Sequence, residues 1–408
     1  MHDDPLEWLI REGRLSRREL LARGGQLIGL AFLATTPGCV ASAFRRATIP
    51  RWAGNPFTLG VASGDPTPDG VVLWTRLAPD PLNGGGMGPD PVRVQWEVAA
   101  DPQFARVVQR GDALAVAELA HSVHVEVEGL QPGRDYWYRF TAGDASTEVA
   151  RTRTAPAAGA AVDRMRFAFV SCQNYQQGYY TAYRHLAGEE IDLVVHLGDY
   201  IYESGVSTDT PRKHEGPEVA TLDAYRNRYA RYKTDADLQA AHRAAPFVVT
   251  WDDHEVANNY AGVHDARGTD PAAFLRRRAA AYQAYYEHMP LRRAFMPRGP
   301  DLRLYRRFEY GTLLGLNVLD TRQYRTDQPC DDGTKPACPG MFDPDAQILG
   351  AAQERWLLDG LPRSGTTWNV LANQVPFVPT QRRVRGEAVY SMDKWDGYAV
   401  QQRRVAAA

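Results

Sequence analysis

From Met165 onward, short apolar runs alternate with stretches of helical periodicity, and three of those runs end in residues able to hold a metal or move a proton. Phe167–Val170 leads into Ser171 and Cys172. Asp192–Leu197 leads into Gly198, Asp199, Tyr202 and Glu203. Phe247–Thr250 leads into Asp252, Asp253, His254 and Glu255. Apolar runs of this length that alternate with helices predict an α/β domain with sheets covered by helices. Folds of that kind place ligands at the carboxyl ends of their strands, where all three clusters fall. Helices are predicted over 179–187, 222–232, 236–243, 271–288 and 353–360, and later strands over 302–310, 313–319 and 368–372.

Ahead of this region, residues 45–156 read as an all-β unit. Runs at 70–75, 92–98, 122–127 and 136–140 alternate apolar and polar residues with the period of half-buried strands. The segment from Leu130 to Tyr136 resembles the tyrosine corner of an immunoglobulin- or fibronectin-like sandwich. Asp65 and Asp69, in a Gly- and Pro-rich stretch, read as turn residues. Residues 152–164, rich in Ala, Pro and Gly, read as a linker to the second unit, 165–408.

Residues 1–44 have the form of an export signal. Arg17 and Arg18 precede a short apolar run at 24–34, and Ala41 to Ala43 offer a cleavage site. The paired arginines resemble a twin-arginine signal, so the expected partner is the twin-arginine export machinery and the expected location is periplasmic or extracellular. The run is too short to span a bilayer, and no stable membrane anchor is expected. Cys39 follows Thr-Pro-Gly, a poor lipoprotein box, which leaves lipidation there a minor alternative. Cys330 and Cys338 flank a turn-rich loop and are expected to form a local disulfide in an oxidising compartment. A net charge of -2 gives no global field for nucleic acid, and no nucleic-acid partner is expected.

The chemistry of the strand ends follows from residue type. Asp199 can bridge two hard cations, and Gly198 before it permits a tight exit from the strand. Tyr202 as phenolate and Cys172 as thiolate suit ferric iron better than calcium or magnesium. Asp253 is a candidate ligand of a second metal, and with His254 forms the candidate catalytic pair, His254 giving a proton to a leaving oxygen. Asn258 and Asn259 are candidates for phosphate or cation contact. Arg322 is a candidate for an anionic substrate, with a structural ion pair as the alternative.

These motifs, in this order, resemble the PhoD-type alkaline phosphatases, also described as alkaline phosphatase D or phosphodiesterase. The similarity takes in 57–66, 171–173, 197–203, 251–256, 320–324 and 395–398. It implies an α/β (α+β) metallophosphoesterase-like core of two stacked mixed β-sheets flanked by helices, behind a small all-β domain. It also implies hydrolysis of phosphate mono- and diesters by a metal-activated hydroxide, with Fe3+ and Ca2+ as cofactors. Cys172 and Tyr202 would be iron ligands, Asp199 the bridge and Asp253 a calcium-side ligand. Family members carry a further strand ending in a Gly-Asp-x-His motif. This chain reaches Ala408 without one, so a truncated site with an exposed sheet edge is expected. A remnant that only binds phosphate or metal, and a cell-surface module acting through its β unit, are the competing readings.

Overall fold

The computed structural model describes residues 47–408; the segment expected to be an export signal, with Cys39, lies outside them. Eight strands form the amino-terminal part: β1 Val61–Thr67, β2 Gly70–Arg76, β3 Val92–Ala99, β4 Val107–Ala115, β5 Ser122–Val127, β6 Asp135–Ala142, β7 Ala145–Ser146 and β8 Ala150–Arg153. One sheet has the order β4-β3-β6-β7, with β8 also paired to β6. Valines of β2, β3 and β5 and the rings of Tyr138 and Phe140 fill the space between it and the β5-β2-β1 layer. The tyrosine corner is present: Tyr136 Oη accepts the Gln131 N–H at 2.9 Å.

The β5-β2-β1 layer does not end with this unit. β1 pairs in parallel with β11 (Phe247–Val249), followed by β10 (Leu193–His196) and β9 (Phe167–Val170), giving one six-stranded sheet across both halves of the chain. The junction is the pair Gly64↔Phe247. Only glycine fits there, because a Cβ on Gly64 would lie 2.5 Å from the Phe247 carbonyl oxygen and 2.6 Å from that of Pro290. Asp65, expected in a turn, is instead a buried residue of β1, and its carboxylate takes Arg306 Nη2 at 2.7 Å. An Asp-Pro pair signals a turn locally, but a guanidinium from 241 residues away recruits it into an inter-element ion pair.

β9, β10 and β11 run parallel in register, with Val170 beside His196 and His196 beside Val249. Their alternation sorts side chains between two cores. Val194, Phe247 and Val249 face helices α1 (Thr181–Ala187), α2 (Leu222–Lys233), α3 (Ala236–Ala244) and α4 (Pro271–His288). Leu193, Val195 and Val248 face a second, mixed sheet of β12 (Arg306–Tyr310), β13 (Leu314–Val318) and β15 (Trp368–Ala372). This is the two-sheet stack the resemblance implied. A third, small sheet joins β14 (Thr334–Pro336), β17 (Glu387–Ser391) and β16 (Arg382–Val384). Helices α5 (Gly350–Gly360) and α6 (Ala399–Ala406) complete the chain. β9 and β15 are sheet edges, and Phe169 on the first and Trp368 on the second stand 70% and 64% exposed.

Lys233 closes α2 deep in the protein, its ammonium 4.2 Å from the centroid of the Trp74 ring and 5.3 Å from that of Tyr200. Desolvation lowers its pKa from 10.5 to about 7. The unfolded chain therefore binds a proton that the folded chain gives up between pH 7 and 10.5. The penalty for burying Lys233 is full below pH 7 and fades as pH rises to 10.5. Lys233→Met is expected to raise Tm at pH 7, with an advantage over wild type that shrinks by pH 10. Paired calorimetric scans test this, and a pH-independent difference would refute it.

Candidate active site

The three strand ends turn into one cleft because their loops bond to each other rather than to solvent. Cys172 and Asp199 both take left-handed backbone, with φ of 56°. That conformation lets Cys172 N–H reach the Gly198 carbonyl and Gln173 N–H reach the Asp199 carbonyl, each at 3.1 Å. Gly198 approaches the third loop so closely that a Cβ there would lie 2.3 Å from Asp252 N. Glu255, fully buried, joins the second and third loops. Its carboxylate accepts the N–H groups of Asp199 at 3.1 Å, Tyr200 at 2.5 Å and Asp252 at 2.9 Å.

Asp199, Asp253 and His254 each offer a ligand atom, all within 4.8 Å of one another. Tyr202 donates its hydroxyl to Asp199 Oδ2 at 3.0 Å, and the His254 ring stacks on it at 4.1 Å. His254 Nδ1 sits 2.7 Å from Glu203 Oε2, whose other oxygen accepts the Asn258 N–H at 2.7 Å. Glu203 therefore leaves Nε2 as the free nitrogen of His254. Cys172, a free thiol, lies outside this trio but interacts with the Asp199 carboxyl.

The electrostatics are those of a site short of positive charge. Burial, and then the charges of Asp252, Asp253 and Glu255, push the Asp199 carboxyl up to about 9. Desolvation and the Asp199 charge push the Cys172 thiol up to about 12, and the same two causes raise the Tyr202 phenol. Burial opposes ionisation of Asp253, yet Arg322 and His254 outweigh it and hold its carboxyl below the ordinary value. Burial also disfavours imidazolium at His254, but the bond to Glu203 and the charge of Asp253 raise it to about 10. The Cys172 thiol, the Tyr202 phenol and the Asp199 carboxyl, each held protonated first by burial and then by neighbouring negative charge, are a donor set that bound cations would relieve. The residues present fit iron on the thiol and phenol side and a hard oxygen-seeking cation beside Asp253.

Arg322 takes the structural ion pair that was the alternative to a substrate contact. It is buried, with Nε on Asp252 Oδ1 at 2.5 Å and Nη1 and Nη2 on the two Asp393 oxygens at 2.7 and 2.8 Å. Its fork is engaged by two carboxylates, so reaching a substrate would strip buried Asp252 of its guanidinium and leave Asp393 to Arg325 and Gln328. Asn258 is exposed and its side chain is open to solvent, whereas Asn259 is tied by its Nδ2 to Asp332 at 2.7 Å. Sequence reasoning marked Glu203, Asp252 and Glu255 only as strand-end residues able to hold a metal or move a proton, and gave no role to Asp393. The first three lie inside the quoted motifs, but their partners are backbone N–H groups or residues distant in sequence, and composition carries no sign of these.

Glu255→Gln keeps the volume but turns one acceptor oxygen into a donor facing an N–H group. It is expected to cost roughly 2–3 kcal/mol of stability, the scale of an unsatisfied buried donor, and to lower bound metal per chain. Chemical denaturation and elemental analysis measure the two effects.

Comparison with known proteins agrees with this geometry. Residues 167–408 match the family described as PhoD-like phosphatase, and residues 41–156 match the PhoD-like phosphatase N-terminal domain. Alkaline phosphatase D of Bacillus subtilis (strain 168) is 53% identical over 394 residues, covering 95% of this chain and 67% of that protein. A solved structure of PhoD superposes with a TM-score of 0.86 at 55% identity, covering 88% of this chain and 70% of that one. Matched over both segments and in three-dimensional structure, the chain belongs to the PhoD-like phosphatase family.

Proposed function

We propose that this chain is an exported, metal-dependent phosphoesterase that hydrolyses phosphate mono- and diesters. The observation that carries the reading is the convergence of Asp199, Asp253 and His254 at neighbouring strand ends, with Tyr202 and Cys172 against Asp199, in a cluster of acidic groups only partly offset by positive charge. Cys172 and Tyr202 would hold Fe3+, Asp199 would serve both metals, and Asp253 would hold Ca2+. Bound there, the cations would neutralise the carboxylates and draw off the charge that develops on the transferring phosphoryl group.

The chain's own residues supply the rest. Hydrolysis forms a bond from water oxygen to phosphorus and breaks the bond from phosphorus to the leaving oxygen, which must gain a proton. His254, with Nδ1 on Glu203, has Nε2 free to hand over that proton. The exposed Asn258 side chain is free to donate to phosphate oxygens. Residues 45–156 act as a β unit that shares its sheet with the catalytic unit 165–408 and braces it.

Two features support export: the paired Arg17 and Arg18 ahead of a short apolar run, and the Cys330–Cys338 disulfide, a bond suited to an oxidising compartment. The expected partner is the twin-arginine machinery and the expected location is periplasmic or extracellular. Retention in the cytoplasm on replacing both arginines by lysine is the corresponding test.

For the chemistry, the full chain is assayed on a chromogenic phosphodiester alongside elemental analysis. Asp199→Ala is expected to lower kcat about 10³-fold or more, the scale of losing a charge-stabilising group, and to lower bound metal with it. Tyr202→Phe and Cys172→Ser are expected to lose iron before calcium. Full activity in Asp199→Ala would sink the site assignment, and zinc without iron in the wild type would remove the roles of Cys172 and Tyr202.

A further inference from the structure

Asn259 adjoins the carboxylate cluster with left-handed backbone, φ 53°. Its polar atoms are nearly all committed. The main-chain N–H donates to Asp253 Oδ2 at 2.7 Å, the carbonyl accepts from Gln328 Nε2 at 2.6 Å, and side-chain Nδ2 donates to Asp332 Oδ2 at 2.7 Å. An ionised carboxylate only accepts, so Asp332 fixes which end of the Asn259 amide is which. The nitrogen faces Asp332, and Oδ1 remains as an acceptor. Presented that way, the amide offers its oxygen to a cation.

Asp332 belongs to none of the strand-end loops. It lies in the segment closed by the Cys330–Cys338 disulfide, and Cys330, Asp331 and Asp332 all have positive φ, 59°, 61° and 55°. Successive non-glycine residues in that region persist only where their surroundings over-determine them. Here the constraints are the disulfide, Lys335 Nζ on the Cys330 and Asp331 carbonyls, the Met392 N–H on the Gly333 carbonyl at 2.9 Å, and the pairing of β14 with β17. The second Asp332 oxygen is buried without a hydrogen-bond partner. Among the described residues, Asn259 is thus the one hydrogen-bond partner of this carboxylate.

Resting on the functional reading above, we propose that Asp332 is a positioning residue of the phosphoesterase site. Held by its disulfide-closed loop, it orients the Asn259 amide so that Oδ1 serves cation binding beside Asp253.

The test uses the full chain, with Ca2+ alone as the calorimetric probe and a chromogenic phosphodiester for KM and kcat. Asp332→Ala is expected to weaken Ca2+ binding by about tenfold to a hundredfold, as for other residues that orient a ligand, while Asp332→Asn, which keeps an acceptor oxygen, stays within about threefold of wild type. Cys330→Ser/Cys338→Ser is expected to weaken Ca2+ binding in the same direction. Asp331→Ala, at a neighbouring solvent-facing position, is expected to match wild type. Wild-type Ca2+ affinity in Asp332→Ala overturns the inference and leaves the functional reading standing. A wild-type chain that neither binds Ca2+ nor hydrolyses the diester overturns the functional reading, and the inference with it. Should Asp332→Ala not fold, Asp332→Asn and the double serine variant decide: retention in the first with loss in the second supports the role, and equal retention overturns it.

Discussion

The site depends on one carboxylate that never meets solvent. Glu255 accepts three backbone N–H groups, two from the loop after β10 and one from the loop after β11. Peptide groups at a sharp strand exit have lost their ladder partners and would be buried without bonds. A single side chain satisfies three of them and, by doing so, fixes the distance between the loops that carry Asp199 and Asp253. The close approach of Gly198 to Asp252 and the left-handed turn at Asp199 are tolerable because this clamp holds them. Strain at the strand tips and satisfaction of the backbone are two sides of the same arrangement.

The clamp concentrates negative charge. Asp199, Asp252, Asp253 and Glu255 crowd one region, and Arg322 is the buried guanidinium set among them. Arg322 cannot neutralise them all. With Arg325 it outweighs burial to hold Asp393 down to about 2, and it offsets only part of what burial does to Asp252, left at about 6. Burial, with little positive charge nearby to offset it, leaves Asp199 raised to about 9 and Glu255 to about 8. Cations bound there would offset both the desolvation of these carboxyls and their mutual repulsion. The arginine that looked like a substrate contact is therefore a fixed counter-charge, sized to half the problem.

Much of the core was legible in the sequence because it depends on local periodicity. The helix expected over 271–288 spans Pro271–His288, and the strand expected over 368–372 spans Trp368–Ala372. One expectation shrank: the strand over 302–310 begins only at Arg306, since Leu302 and Leu304 are buried outside the ladder. Strands β1 and β4 were not foreseen. β1 carries Gly and Asp, both depleted in strands, and it forms because its Gly64 fits against β11.

The sequence by itself determined the identity and order of the ligand-capable residues and their place just beyond apolar strands, because a strand's side-chain period and a ligand's chemistry are both properties of the residues concerned. Only the tertiary structure decided which charges are counter-charges and which are free. Asp65 met Arg306, Arg322 met Asp252 and Asp393, and Asn259 met Asp332. Each pairing joins elements far apart in the chain, and in a desolvated interior it is the position of the nearest opposite charge or open donor that settles what a polar side chain can do.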